Sequence, residues 1–309
     1  MKTVRIVGMG ALGILFGDFL TKALGKEQVS FVADNNRIEK YRKRKITDNG
    51  DLCDFSYVDA NEKGTPADLL IFAVKATALE SALETTANQV GEHTIILSLL
   101  NGISSEEIIA GRFGWEHMLY CVAQGMDAVK EESADVTALT YSKMGELCIG
   151  LPEADKERMP LLDAVFDLFT EIKMPFTREQ DIMHRLWSKF MLNVGINQVT
   201  MIFEGGYGVV QKPGKERDMM QAAMREVILL AGLEHVNVTE EDLEYYVNLT
   251  DQLSPTGMPS MRQDGKAHRK TEVELFAGTV CRLAEKHNVK VPVNEMIYKR
   301  VKEMEQSYI

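Results

Sequence analysis

Cysteine is scarce, and nothing in its placement suggests chemistry. Cys53, Cys121, Cys148 and Cys281 are far apart, with no CxxC pair and no Cys/His cluster, so neither a zinc site nor any other metal site is expected. They read as reduced, mostly buried thiols of a cytoplasmic protein. Long apolar runs are missing too: none approaches the ~18–20 residues that cross a bilayer. Basic residues are in deficit, 35 against 46 acidic, for a net charge of −11. Nucleic acid and anionic membranes need a basic surface, so both are excluded as partners, and only a local pocket for one small anion stays open. Repeats and low-complexity segments are absent. What is present is ordinary: 309 residues, 45% apolar and 26% charged, a composition of two globular domains.

One stretch imitates a secretory leader. Lys2 and Arg5 precede an apolar run from Ile6 to Gly17. Asp18, Lys22, Lys26 and Glu27 then follow with no small-residue cleavage site, so the segment is expected to belong to the fold.

The same residues have a better explanation. The β-branched run Val4 to Val7 predicts a buried strand, and Gly8-Met9-Gly10-Ala11-Leu12-Gly13 follows it directly. Leu12, Leu15, Phe16, Phe19 and Leu20 then share one face of a helix. A second strand, Val29 to Ala33, ends in Asp34, 21 residues past Gly13. This G-x-G-x-x-G between strand and helix reads as a dinucleotide cradle. Gly8 allows the turn, Gly10 lets a pyrophosphate approach the backbone, and Gly13 allows close packing of helix on sheet, while the helix N-terminus offers N–H groups to phosphate. Asp34 can accept hydrogen bonds from a ribose and would repel a 2′-phosphate, which favours NAD. Arg37, Lys40, Arg42, Lys43 and Arg44 follow closely; Arg37 could reach a 2′-phosphate, or the group is a solvated helix face.

Further strands are predicted at Ala67 to Val74, Thr94 to Leu100, Leu119 to Ala123 and Gly145 to Ile149, with a helix from Ala76 to Val90. The alternation predicts a parallel sheet covered on both faces, with Gly8, Asp34, Lys75 and Asn101 at strand C-terminal ends, where ligands bind. After Phe176 the period becomes helical, over 181–203, 215–234, 239–252 and 267–288. On the first of these, Lys189, Asn193 and Asn197 recur every four residues and form one polar stripe. Such a stripe faces either solvent or a substrate, since a lysine and two amides on an apolar helix are costly unless paired. His184 reads as a structural or surface histidine rather than a catalyst. Ser260-Met261-Arg262-Gln263-Asp264 reads as a loop, and Thr271-Glu272-Val273-Glu274 as a helix start.

Together these residues resemble the ketopantoate reductase (2-dehydropantoate 2-reductase) family over essentially the whole chain. The likeness is carried by G-M-G-A-L-G at Gly8, V-K at Lys75, N-G at Asn101, L-W-x-K-x-x-x-N-x-x-x-N from Leu186, S-M-x-Q-D from Ser260, T-E-x-E from Thr271 and V-P-x-N ending at Asn294. With the boundary placed near 178 by the change of period, the expected fold is an α/β Rossmann-type parallel-sheet domain over 1–178 and an all-helical substrate and catalytic domain over 179–309, with an active site in the cleft between them. The resemblance implies reduction of 2-dehydropantoate to D-pantoate on the route to pantothenate and coenzyme A, with NADP as the family's cofactor.

Site roles follow from the resemblance residue by residue. Lys189 is the general acid, and Glu272 holds substrate hydroxyl and nicotinamide. Asn193 and Asn197 bind substrate and Ser260 its carboxylate. Asn101 touches cofactor and substrate. Gly8, Met9, Gly10, Ala11, Leu12, Gly13, Asp34, Lys75 and Glu272 bind cofactor. Two positions depart from the family: Asp34 stands where NADPH users often carry arginine, and Tyr207 where a substrate-binding asparagine is common. Both fit the alternative of an NAD-dependent D-2-hydroxyacid dehydrogenase for another bulky 2-keto acid. A catalytically idle dinucleotide sensor is the reading from another class, and the intact Lys189, Asn193, Asn197, Ser260 and Glu272 speak against it. The apolar C-terminal helices leave a homodimer open.

Overall fold

In the computed structural model, which describes residues 1–308, the chain divides into two units, the first ending at Ile182 and the second beginning at Met183. The first unit runs β1 (Val4–Val7), α1 (Ala11–Leu24), β2 (Val29–Ala33), α2 (Asn35–Arg42), β3 (Lys45–Asp48), β4 (Asp51–Leu52), β5 (Ser56–Asp59), β6 (Leu69–Phe72), α3 (Leu79–Thr86), β7 (Ile95–Ser98), α4 (Ser105–Phe113), β8 (Met118–Gln124), β9 (Val129–Glu132), β10 (Val136–Thr140), β11 (Glu146–Gly150), α5 (Met159–Glu171) and β12 (Phe176–Arg178).

Eight strands form one sheet in the order β12-β11-β8-β7-β6-β1-β2-β5. Every pairing is parallel except β8 with β11. Alternation along the buried strands feeds two cores. Ile6, Phe31, Leu69 and Ile71 pack with Leu15, Phe16 and Leu20 of α1 and Phe166 and Phe169 of α5. Val7, Val32, Leu70 and Phe72 pack on the other face with Leu79 and Leu83 of α3 and Ile109 of α4. Both faces of the parallel sheet are thus covered, as its continuous apolar strands require.

The helix expected over 76–90 is broken. A 3-10 turn, Ala76–Ala78, precedes α3, and another, Ala87–Gln89, follows it. At the end of α3 the hydroxyls of Thr85 and Thr86 donate back to the carbonyls of Ser81 and Ala82, at 2.7 and 2.8 Å; such back-bonding weakens a helix locally. A second sheet, β4-β3-β10-β9, escaped the sequence reading because its strands are short and, apart from β10, rich in charge.

The second unit is helical: α6 (Ile182–Ile202), α7 (Lys215–Leu233), α8 (Glu240–Asp251), α9 (Ser260–Lys266), α10 (Ala277–His287) and α11 (Pro292–Gln306). Three of the four helices expected here form close to their predicted bounds. The fourth, over 267–288, begins only at Ala277. His268 adopts a φ of 51°, and both the amide and the hydroxyl of Thr271 donate to Glu305 Oε1 of α11 at 2.7 Å. The tether diverts residues 267–276 into turns, so Thr271-Glu272-Val273-Glu274 is not a helix start. The segment from Ser260, read as a loop, forms α9. His184 is a strut: its Nε2 lies 2.9 Å from Asp242 Oδ1, in the capping box at the start of α8. Cys121 and Cys148 are buried, and Cys53 and Cys281 half-buried. Among the described residues, no helix is long and apolar enough to cross a membrane.

Candidate active site

The turn from β1 into α1 is built for a ligand at its surface. Gly8 has a φ of 98°, a conformation that only glycine adopts without strain. A Cβ on Gly13 would run into the Gly8 carbonyl, so Gly13 closes the turn on itself. The contact between α1 and the sheet falls instead at Gly17, where a Cβ would lie 2.5 Å from the Phe31 ring. Gly10 is different. A Cβ there would meet only Ala73 O, at 3.6 Å, so packing leaves the space over Gly10 open. Gly10 is the N-cap of α1, no side chain among the described residues caps the helix, and its first turn has no acid. Ala11, Leu12 and Gly13 open α1, and the N–H groups of a helix's first turn, which lack helical acceptors, suit a phosphate. This turn fits the pyrophosphate of a dinucleotide.

Asp34 ends β2 and does two things. Its Oδ1 accepts from Arg37 N at 2.9 Å, which caps α2. Its Oδ2 lies 3.4 Å from Arg37 Nε. The carboxylate and the guanidinium that pointed toward different cofactors are therefore an exposed ion pair. Lys40, Arg42 and Lys43 are exposed, while Arg44 reaches away, donating to Ser133 O at 2.6 Å. Lys75 follows β6 as the N-cap of the first 3-10 turn. Asn101 follows β7, beside Gly102 with a φ of 90°. Because β7, β6, β1 and β2 are adjacent and parallel, the structure brings Asn101, Lys75, the glycine turn and Asp34 to one edge of the sheet.

In the second unit, Lys189, Asn193 and Asn197 lie along α6. Asn193 and Asn197 are 8% and 3% exposed, so the stripe does not face solvent. Its amides are oriented in sequence. Met261 N–H of α9 donates to Asn197 Oδ1 at 3.3 Å. That turns Asn197 Nδ2 toward Asn193 Oδ1, at 3.0 Å. The far end, Asn193 Nδ2, is buried and has no hydrogen-bond partner among the described residues. A buried donor without a partner costs about 1–3 kcal/mol, and one turn of helix separates it from Lys189. Ser260 is exposed at the first position of α9, next to the Met261 amide that starts the chain of bonds.

Glu272 is 9% exposed and sits in the turns before α10. Its position depends on a residue that the sequence reading missed. Gln198 is fully buried; its Oε1 accepts from Ala277 N at 2.9 Å, and its Nε2 lies 3.4 Å from Asn294 Oδ1. Asn294 in turn donates to Glu226 Oε2 at 2.7 Å. Phe276 N donates to the Glu272 carbonyl at 3.1 Å, so Gln198 ties the Glu272 turn to α6. The signal was present in the V-P-x-N ending at Asn294, but its partner lies 96 residues away, beyond any local spacing argument.

Tyr207 lies in the loop after α6. Two backbone bonds join this loop to the segment before α9: Tyr207 N to Gly257 O and Gly208 N to Pro255 O, both 2.9 Å. Arg262 adds a third tie, donating to Glu204 O at 3.0 Å. Tyr207 is half-buried, and burial pushes its phenol up from the ordinary value.

Comparison with known proteins gives the same frame to both units. Residues 4–151 match the family model described as ketopantoate reductase PanE/ApbA, and residues 181–305 match its C-terminal model. A 2-dehydropantoate 2-reductase of Vibrio cholerae is 28% identical over 242 residues, 78% of this chain and 79% of that protein. One from Archaeoglobus fulgidus is 25% identical over 310 residues, 99% and 98% of the two chains. Among solved structures, a dimeric ketopantoate reductase from Staphylococcus aureus matches with a TM-score of 0.82 at 20% identity, covering 99% of this chain and all of that one. A D-mandelate dehydrogenase with NADH and anilino(oxo)acetate matches with a TM-score of 0.86 at 21% identity, covering 99% of each.

Proposed function

The chain belongs to the ketopantoate reductase family, oxidoreductases that use a nicotinamide dinucleotide, and from that premise we propose that it reduces 2-dehydropantoate to D-pantoate with NADH preferred. A bound reduced nicotinamide supplies the hydride. The chain's own groups do the rest. Hydride arrival builds negative charge on the carbonyl oxygen; the Lys189 ammonium stabilises that charge and gives the oxygen its proton. Asn193 Nδ2 donates to the substrate and holds the carbonyl beside Lys189. Asn197 relays orientation from α9, and Ser260 meets the substrate carboxylate. Glu272 holds the substrate hydroxyl and favours the charged form of Lys189. Gly8 to Gly13, Asp34, Lys75 and Asn101 hold the cofactor.

The buried, unpartnered Asn193 Nδ2 carries this reading, because a solvated or idle stripe has no reason to keep a donor waiting for an acceptor. The preference for NADH rests on Asp34, whose carboxylate repels a 2′-phosphate and engages Arg37, the nearby cation that could have met one. A second reading is favoured by Tyr207: a D-2-hydroxyacid dehydrogenase for a bulkier 2-keto acid, in which an aromatic ring replaces the family's asparagine.

The test is steady-state reduction of 2-dehydropantoate with NADH and NADPH side by side. Turnover with NADH ahead of NADPH is the expected result. Cofactor binding without turnover moves the assignment to aromatic and branched 2-keto acids. Lys189→Ala is expected to lower kcat by a factor of about 10²–10⁴ while NADH still binds; unchanged turnover would remove Lys189 from the reaction.

A further inference from the structure

β9 carries an anomaly. Lys130 stands opposite Leu139 in the β9–β10 ladder, and directly opposed residues share a face. Leu139 is fully buried in the core beside α1. Lys130 therefore springs from the inner face of the small sheet, a face Glu132 shares opposite the buried Thr137, while Val129 and Glu131 are exposed. Its ammonium reaches the glycine turn, donating to Met9 O at 3.4 Å, and pairs with Glu132 at 2.8 Å.

In the protein alone Glu132 offsets this cation, but the start of α1 does not. The ammonium lies beside the positive end of the α1 dipole, and like charge there is unfavourable. α1 has no acid in its first turn to offset it. The second sheet thus brings a positive charge to a turn whose free N–H groups and open space over Gly10 already suit an anion.

We propose that Lys130 is a cofactor-binding residue, its ammonium neutralising the pyrophosphate of the dinucleotide, with Glu132 as its charge partner when no phosphate is there. The proposal rests on the dinucleotide reading of the turn. Charge neutralisation at the pyrophosphate does not distinguish the two nicotinamide cofactors, so Lys130 strengthens both alike, whereas Asp34 separates them.

The experiment titrates the full-length protein with NADH and with NADPH, following nicotinamide fluorescence at several salt concentrations, for wild type, Lys130→Met and Lys130→Arg. Melting of the unliganded proteins is recorded alongside. Lys130→Met is expected to weaken both cofactors about tenfold, the scale of one charge-assisted hydrogen bond, and to flatten the salt dependence. Lys130→Arg recovers most of the affinity, and the unliganded melting temperature holds or rises. Unchanged affinity in Lys130→Met would overturn the proposal. So would a fall in unliganded melting temperature that accompanies the lost affinity and is not repaired by arginine, since Lys130 would then be a strut of the turn. Wild type binding neither cofactor would instead sink the dinucleotide reading itself.

Discussion

At the scale of single residues, a carboxylate that spacing assigns to a ligand can have structural work in the fold. Spacing reads Asp34 as a cofactor residue; in the fold it caps α2 and pairs with Arg37, which no spacing rule reveals. Asp48 was not singled out at all, because an aspartate in a charged stretch reads as solvated. It is 4% exposed and faces Asp18 of α1, which is 3% exposed. Lys22 pairs with Asp18 at 2.6 Å, and the Tyr141 hydroxyl donates to Asp48 at 3.5 Å. Burial, then the hydrogen bond and negative charge of Asp18, push the Asp48 carboxyl up to about 6. An unfolded aspartate titrates near ~3.9, so between these values the folded chain binds the proton more tightly. The stability this contributes is full below about pH 4 and is lost as pH rises through about 6. Asp48→Asn is expected to melt higher than wild type above about pH 7 and to converge with it near about pH 4. Parallel melting curves across that range would show that the proton plays no part.

At the scale of elements, periodicity predicted well wherever one segment packs by itself. The strands at Val4–Val7 and Val29–Ala33 and the helices α6, α7 and α8 were legible because apolar spacing alone defines them. The failures lie where a distant partner overrides local preference. Thr271 is drawn to Glu305 of α11, so the helix expected from 267 starts ten residues late. The polar stripe on α6 was visible, but the one-way run of amide bonds from Met261 through Asn197 to Asn193 was not, since it needs α9 in place. Gln198 shows the same limit. Replacing it by leucine strands the buried Ala277 N–H at a cost of about 1–3 kcal/mol. Gln198→Leu is expected to lower the melting temperature by several degrees and to lower kcat more than it raises the KM for the keto acid, because the Glu272 turn loosens. A stability loss with kinetics intact would separate Gln198 from the site.

For the whole molecule, the charge balance and the glycine turn were enough to predict the class of ligand. A chain of net charge −11 can bind an anionic dinucleotide only through local groups, and the proposed site offers the backbone N–H donors of the glycine turn together with Lys75 and Lys130. Binding therefore couples to folding of the intact turn. NADH at ~100 times its Kd is expected to stabilise the protein by about 2.7 kcal/mol, seen as a rise of several degrees in melting temperature, and Lys189→Ala is expected to keep that rise. An absent shift in wild type would contradict dinucleotide binding. The loop at Tyr207 has a different consequence. It is joined to the strand of chain before α9 largely through main-chain bonds, from Tyr207 N and Gly208 N, which any side chain at 207 preserves. Lineages descended from such a scaffold can exchange the side chain at 207 freely while inheriting the main-chain anchorage of the loop unchanged.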